Sequence, residues 1–274
     1  MDDPPPAGPR LAHEEAGAGP PVVCLHGLTA TRRYVLMGSR WLERAGHRVV
    51  LYDARGHGAS EPAPAPDRYT YADLAGDLEG LLDRLEIDRP VLAGVSMGAH
   101  TAIRFALDHP DRVAALALIT PAHLPASHPD GLETWDALAR GLREGGVEGF
   151  LAAYDIESVA PRWRDTLIAA LGQRMAGHEH PAAVADALAA VPRSRPFAGL
   201  EDLGRLRVPT LVVASRDEAD PGHPLAAARA YAEAIPGARL AVEEPGRAPL
   251  AWQGGQLSRL IGALAGPATA GPGA

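Results

Sequence analysis

Ser96 stands in the segment Gly94-Val95-Ser96-Met97-Gly98, directly after the apolar run Val91 to Gly94 and directly before a helical pattern from Met97 to His109. A serine on a sharp turn between a strand and a helix has its hydroxyl raised at the edge of a sheet, where it can attack an acyl carbon. Such a turn strains the serine backbone, so small residues are needed two positions to either side, and Gly94 and Gly98 supply them. The first turn of a helix leaves its amides without intrahelical acceptors. The N–H of Met97 therefore points toward a negative charge developing on a substrate oxygen. The chemistry suited to these residues is acyl transfer.

The rest of the chain supplies elements that can hold this turn. Strand patterns run over Arg10 to Glu15, Val22 to His26, Val49 to Asp53, Val91 to Gly94, Val113 to Thr120, Thr210 to Ser215 and Arg239 to Glu243. Several are continuous apolar runs, as expected of strands covered on both faces. Helical patterns alternate with them; in Tyr71 to Leu85 the residues Leu74, Leu78, Leu81, Leu82 and Leu85 form one apolar stripe. The alternation predicts an α/β fold, a mostly parallel sheet with helices on both faces. It breaks over 121–206, where four helical patterns (Leu132 to Arg143, Val147 to Tyr154, Trp163 to Met175, Ala182 to Ala190) follow without a strand. That stretch reads as a helical cap inserted into a core of 10–120 and 207–264, with tails at 1–9 and 265–274. Trp135, Trp163, Phe150 and Tyr154 in the insertion either line a pocket or seal cap to core.

Two further segments join the serine turn. His26-Gly27-Leu28 ends one strand, and Asp53-Ala54-Arg55-Gly56-His57-Gly58-Ala59-Ser60 ends the next. The second reads as a rigid turn whose Asp and Arg brace neighbouring loops. With the serine turn and the helical insertion, these segments make the chain resemble the α/β-hydrolase superfamily from about Arg10 to Leu264. Within it the chain looks like the small cofactor-free esterases and lactonases with a helical cap, the enol-lactonase group included. The resemblance implies hydrolysis of a carboxylic ester or lactone through Ser96 and an acyl-enzyme, with the Leu28 amide as second oxyanion donor beside Met97.

The resemblance also says where an acid and a base should be. The acid follows the strand ending at Ser215, where Asp217 and Asp220 are the candidates; Asp217 is slightly favoured by its place at the strand end. Asp220 fits an Asp-Pro-x-x-Pro alignment. The histidine of the family follows a glycine after the last strand, but Arg247 stands there, and a guanidinium has no lone pair with which to take a proton. No histidine occurs after His223. His223 is the first candidate base, since it follows both serine and acid. His123 and His100 are the alternatives, the latter four residues beyond Ser96 on one helix face. Arg247, Arg32 and Arg33 are read either as surface ion-pair partners or as anchors for a substrate carboxylate. Alongside the hydrolase reading stands a catalytically impaired member of the fold, a small-molecule binding protein or scaffold.

Composition narrows the classes. A formal charge of -8 over 274 residues lacks the basic face of a nucleic-acid binder. There is no lysine, hence no Schiff base, and the single cysteine, Cys24, lies in an apolar strand and forms no internal disulfide. No apolar stretch reaches the roughly 20 residues of a membrane helix, and the acidic, proline-rich start is unlike a signal peptide, so a cytoplasmic protein is expected. Neither metal-ligand spacing nor a phosphate-binding glycine loop is present, so no metal or nucleotide cofactor is expected and the partner is a small-molecule substrate. The oligomeric state is not encoded in any of these features.

Overall fold

The computed structural model describes residues 8–125 and 132–266. Seven strands form one sheet: β1 (His13–Ala16), β2 (Pro21–Leu25), β3 (Arg48–Tyr52), β4 (Val91–Val95), β5 (Ala115–Ile119), β6 (Thr210–Ala214) and β7 (Arg239–Val242). Their order is β1-β3-β2-β4-β5-β6-β7, and only β1 runs antiparallel to its neighbour. All residues of β5 and β6 are buried, as their unbroken apolar runs require, whereas edge strand β1 exposes His13, Glu14 and Glu15. Charge on an edge strand discourages pairing with another chain.

Helices α1 (Trp41–Arg44), α2 (Tyr71–Arg84), α3 (Met97–Asp108), α7 (Leu225–Ala234) and α8 (Gly254–Ala265) accompany the sheet; α4 (Leu132–Ala153), α5 (Pro161–Met175) and α6 (Pro181–Ala190) lie between β5 and β6. The apolar stripe of α2 buries Leu74, Leu78, Leu81 and Leu82, and Thr70 with Asp73 closes a capping box at its start. Two expected helices, Leu132 to Arg143 and Val147 to Tyr154, are fused in α4 across Gly146, whose φ of 60° interrupts the helical path. α7 and α8 have no counterpart among the expected elements: alanine-rich α7 shows little apolar contrast, and α8 opens on two glycines. The expected tails lie largely outside the described residues, and Ala265 is the last residue of α8. None of the described helices is long and apolar enough to cross a membrane.

The chain passes from β2 to β3 on one side and resumes with β4 on the other, so the sheet order reverses between β2 and β4. The carboxyl ends of strands at such a reversal leave a crevice suited to a ligand. His26-Gly27-Leu28 leaves β2 there, and Ser96 leaves β4. Packing at this point is close enough to require glycine. A Cβ on Gly98 would come within 2.3 Å of the Leu25 carbonyl oxygen, and one on Gly94 within 2.3 Å of Gly98. We expect Gly98→Ala to lose about 1–3 kcal/mol in urea unfolding, the usual range for overpacking. Gly76→Ala, at an exposed position of α2 where a Cβ meets nothing within 4 Å, should gain up to about 1 kcal/mol.

Candidate active site

Ser96 joins β4 to α3 with φ 51° and ψ −111°, a left-handed geometry costly for a residue with a side chain. Its N–H donates to the Ile119 carbonyl at 2.9 Å, which pins the turn to β5. The Cβ position of Gly27 lies 3.6 Å from the Ser96 Cβ, so the segment leaving β2 runs directly beside the serine. Leu28 and Met97, the expected oxyanion donors, line the same cavity as Ser96.

The 53–60 loop braces this edge. Asp53 accepts from the Arg32 backbone N–H at 2.7 Å and pairs with the Arg32 guanidinium. Arg55 makes two hydrogen bonds to Asp77, 2.6 and 2.7 Å, both partners being buried. His26 donates from Nδ1 to the Gly27 carbonyl (2.8 Å) and accepts from the Ala54 N–H (2.9 Å); burial pushes its pKa down to about 3. Arg32 is thus an ion-pair partner of Asp53 and Glu14.

A tight turn after β6 approaches Ser96 from the other side. The His223 N–H donates to the Asp220 carbonyl at 3.1 Å, closing the four-residue turn Asp220-Pro221-Gly222-His223. Proline fixes φ at the second position of such a turn, and the closure brings the first and fourth side chains together. His223 Nδ1 lies 2.7 Å from Asp220 Oδ1, and His223 Nε2 lies 2.8 Å from Ser96 Oγ. With Nδ1–H donated to the carboxylate, Nε2 carries the lone pair that accepts the serine proton. Burial opposes charge on His223, but the Asp220 carboxylate and its hydrogen bond outweigh that and raise the imidazole pKa above its ordinary value. Burial likewise disfavours the Asp220 anion, yet His223 and Arg174 hold its pKa low. An imidazole held between a carboxylate and a hydroxyl can remove the hydroxyl proton and return it to a leaving group.

The other candidates have different surroundings. Asp217, slightly favoured from sequence, is exposed and accepts from the N–H of Leu225 at 2.7 Å, the first residue of α7; the carboxylate on the histidine is that of Asp220. His100 is buried, and its Nε2 accepts from the N–H groups of Ala122 (3.2 Å) and His123 (3.1 Å). His123 packs edge-on to Phe197, with ring centroids 5.1 Å apart. Both line the cavity, but the ring within hydrogen-bond reach of Ser96 is that of His223. Arg247, at the position where the family places its histidine, is exposed in a turn whose N–H donates to Glu244, and it makes no ion pair among the described residues. Nearby Glu243 is buried and accepts from the Arg216 N–H.

The cavity measures about 610 Å³ and lies between the sheet edge and helices α4 and α5. Trp135, Phe150 and Tyr154 line it, whereas Trp163 packs edge-on to Trp252 at 6.0 Å between centroids. Two lining residues escaped the sequence reading. Arg174 on α5 has its guanidinium 5.4 Å from the Tyr34 ring centroid, and its Nε is buried without a hydrogen-bond partner. Burial pushes its pKa down, with Asp220, Tyr34 and Tyr154 acting against the shift, and no carboxylate among the described residues lies within ion-pair distance. Tyr71, at the start of α2, is the second. No group of three or more His, Cys, Asp or Glu side chains among the described residues could hold a metal.

These contacts predict a specific titration. In NMR the His223 imidazole should titrate with a midpoint above the ~6.5 of a free histidine, protonated below it and neutral above. Asp220→Asn should lower that midpoint. Asp217→Ala should leave it in place and cost about 0.5–1 kcal/mol of stability through the loss of a helix-start acceptor. An unmoved midpoint in Asp220→Asn would show that the carboxylate does not act on this ring.

The chain is similar to known proteins along most of its length. Residues 20–176 match the family described as "alpha/beta hydrolase fold". A 2-hydroxy-6-oxononadienedioate/2-hydroxy-6-oxononatrienedioate hydrolase of Cupriavidus pinatubonensis is 32% identical over 224 residues, covering 76% of this chain and 74% of the relative. Among solved structures, a thermophilic esterase from Thermogutta terrifontis with malate bound superposes with TM-score 0.75 at 29% identity, covering 93% of this chain and 92% of the esterase. The enol-lactonase from Burkholderia xenovorans LB400 superposes with TM-score 0.71 at 26% identity, covering 86% and 88%. Other matches are shorter: the chain spans 35% of the length of epoxide hydrolase 2 of Siraitia grosvenorii, at 40% identity over 116 residues. With a family match over more than half its length, a shared parallel sheet and esterases and lactonases among its structural neighbours, the chain belongs to the α/β-hydrolase family.

Proposed function

We propose that the protein hydrolyses a carboxylic ester or lactone through Ser96. The observation that carries this reading is the hydrogen-bonded chain Asp220–His223–Ser96, with links of 2.7 and 2.8 Å. Ser96 Oγ attacks the substrate carbonyl carbon while His223 Nε2 takes its proton. The carbonyl oxygen becomes an oxyanion held by the N–H groups of Leu28 and Met97. As the tetrahedral species collapses, the bond to the alkoxy oxygen breaks and His223 returns the proton to it, leaving an acyl-enzyme. A water, deprotonated by the same nitrogen, then releases the acid and restores the serine. In a lactone the departing hydroxyl stays tethered to the acyl part. Asp220 keeps the imidazole in the required tautomer and stabilises its charged form. Residues 121–206 act as a cap that walls the cavity from water and strengthens each of these electrostatic contacts.

Arg174 favours a substrate with an anionic group. A guanidinium lining the cavity with its Nε buried and without a hydrogen-bond partner is under-satisfied, and a bidentate carboxylate meets its geometry. Support comes from relatives: one is named as a hydrolase of a dioate, and a neighbouring esterase holds malate, a dicarboxylate.

Intact-mass labelling with a fluorophosphonate tests the mechanism. Wild type should gain one adduct, and Ser96→Ala none. His223→Ala should label far more slowly and lose ~10³-fold or more in ester turnover. Wild-type protein that neither labels nor turns over short esters would leave a binding protein on this fold as the surviving reading. Arg174→Gln should weaken turnover of a succinate monoester about tenfold or more relative to the neutral butyrate ester. Equal losses on both would remove the anion from the argument.

A further inference from the structure

The floor of the cavity holds a hydrogen-bond donor with no acceptor assigned to it. His100 lies one turn beyond Ser96 on α3, and two backbone N–H groups, those of Ala122 and His123, point at its Nε2 from 3.2 and 3.1 Å. A nitrogen that accepts two N–H bonds must carry a lone pair, so the ring's proton sits on Nδ1. Burial, with His123 and His223 close by, also keeps the ring from taking a second proton. Nδ1 lies 3.0 Å from the hydroxyl oxygen of Tyr71. Since Nδ1–H is the donor in that contact, the Tyr71 oxygen is the acceptor, and the phenol's own hydrogen must be directed elsewhere. Its hydroxyl has no second partner among the described residues. Burial raises the phenol pKa, so the proton is retained at any working pH.

The side chain is also held in place. Tyr71 is only 5% exposed; it opens α2 behind the Thr70 capping box, and its N–H donates to Ser194 Oγ at 2.9 Å. It shares the cavity with Ser96 and His223. A buried hydroxyl proton without an acceptor is unfavourable until a ligand meets it.

We infer that Tyr71 is a specificity-determining residue whose hydroxyl donates to a second oxygen of the substrate, a ketone, hydroxyl or carboxylate oxygen separate from the carbonyl that Ser96 attacks. This rests on the hydrolase reading and narrows its substrate class to acyl groups that carry an additional oxygen acceptor. A site built to hydrogen-bond such a group discriminates against the analogue that lacks it.

The test uses p-nitrophenyl hexanoate with its 4-oxo and 5-oxo analogues, which differ from it only in the acceptor. Wild type should show a KM about tenfold lower for at least one oxo ester than for the plain ester. Tyr71→Phe should abolish that ratio by raising the oxo-ester KM relative to the plain-ester KM measured on the same variant. A purely structural Tyr71 would shift all three esters together, because the ratio within one variant cancels any loss of folding. Absence of an oxo preference in wild type, or its survival in Tyr71→Phe, would overturn the inference. Calorimetric binding of 4-oxohexanoate, 5-oxohexanoate and hexanoate reports the same ratio without turnover. Failure of the hydrolase reading would show as no hydrolysis of any ester, while the binding ratio would still decide the role of Tyr71.

Discussion

The constraint on which the site depends is the backbone of Ser96. A φ of 51° in a residue with a side chain is unfavourable by roughly 1–3 kcal/mol and persists only where the surroundings leave no alternative. Here they leave none. Gly98 is pressed against the Leu25 carbonyl and Gly94 against Gly98, so α3 starts almost in contact with β2 and β4. The N–H of Ser96 is taken by Ile119 at the end of β5. The three central strands therefore hold the serine jointly, and their fully apolar sequences are what lets them pack that closely. From this one strained residue follow the raised hydroxyl, the free amide of Met97 at the start of α3 and the nearness of the His26-Gly27-Leu28 segment.

Legibility in the sequence tracks how local each feature is. The seven strands, the inserted helices and the serine turn are written in contiguous patterns, and each appears within a few residues of its expected span. Chain order puts His223 first among three candidate histidines, and its ring is the one within hydrogen-bond reach of Ser96. The choice between Asp217 and Asp220 was not readable in that way, because both lie on the loop after β6 and both are near His223 in sequence. What separates them is the closed turn Asp220-Pro221-Gly222-His223, in which positions one and four face each other. The Asp-Pro-Gly-His sequence was a usable signal for that turn. Asp217 lies three residues too early and instead meets the first amide of α7.

Arg174 and Tyr71 mark the other limit. A helix's apolar period says which face is buried, not which wall of a cavity a polar residue reaches. The placement of Arg174 depends on how α5 settles over the sheet. That placement is tied by the Ala160 N–H to the Glu218 carbonyl at 2.9 Å and, farther along, by the Gly58 N–H to His178 Nδ1 at 2.9 Å. Both ties join segments more than fifty residues apart, beyond the reach of any periodicity. Tyr71 was visible only as the first apolar residue of α2. Its polar role emerges when the two amides facing His100 are counted, since they decide which way the intervening proton points.

These long-range placements bear on why the histidine that meets Ser96 sits after β6. Arg247 shows that the end of β7 carries no histidine, and the neighbouring Glu243 accepts from the backbone N–H of Arg216. The turn after β6 offers something the end of β7 lacks, an acid and a base on the same four residues, so their mutual distance is set by backbone closure rather than by the packing of two loops. The electrostatics are coupled to the cavity. Arg174 holds Asp220 low and also opposes protonation of His223. A substrate carboxylate placed on Arg174 would cancel the second influence while the hydrogen bond to Asp220 remained. On the proposed reading, His223 is then a stronger base with an anionic substrate in place than in the empty enzyme, and the same guanidinium that selects the substrate also governs the readiness of the nitrogen that activates Ser96.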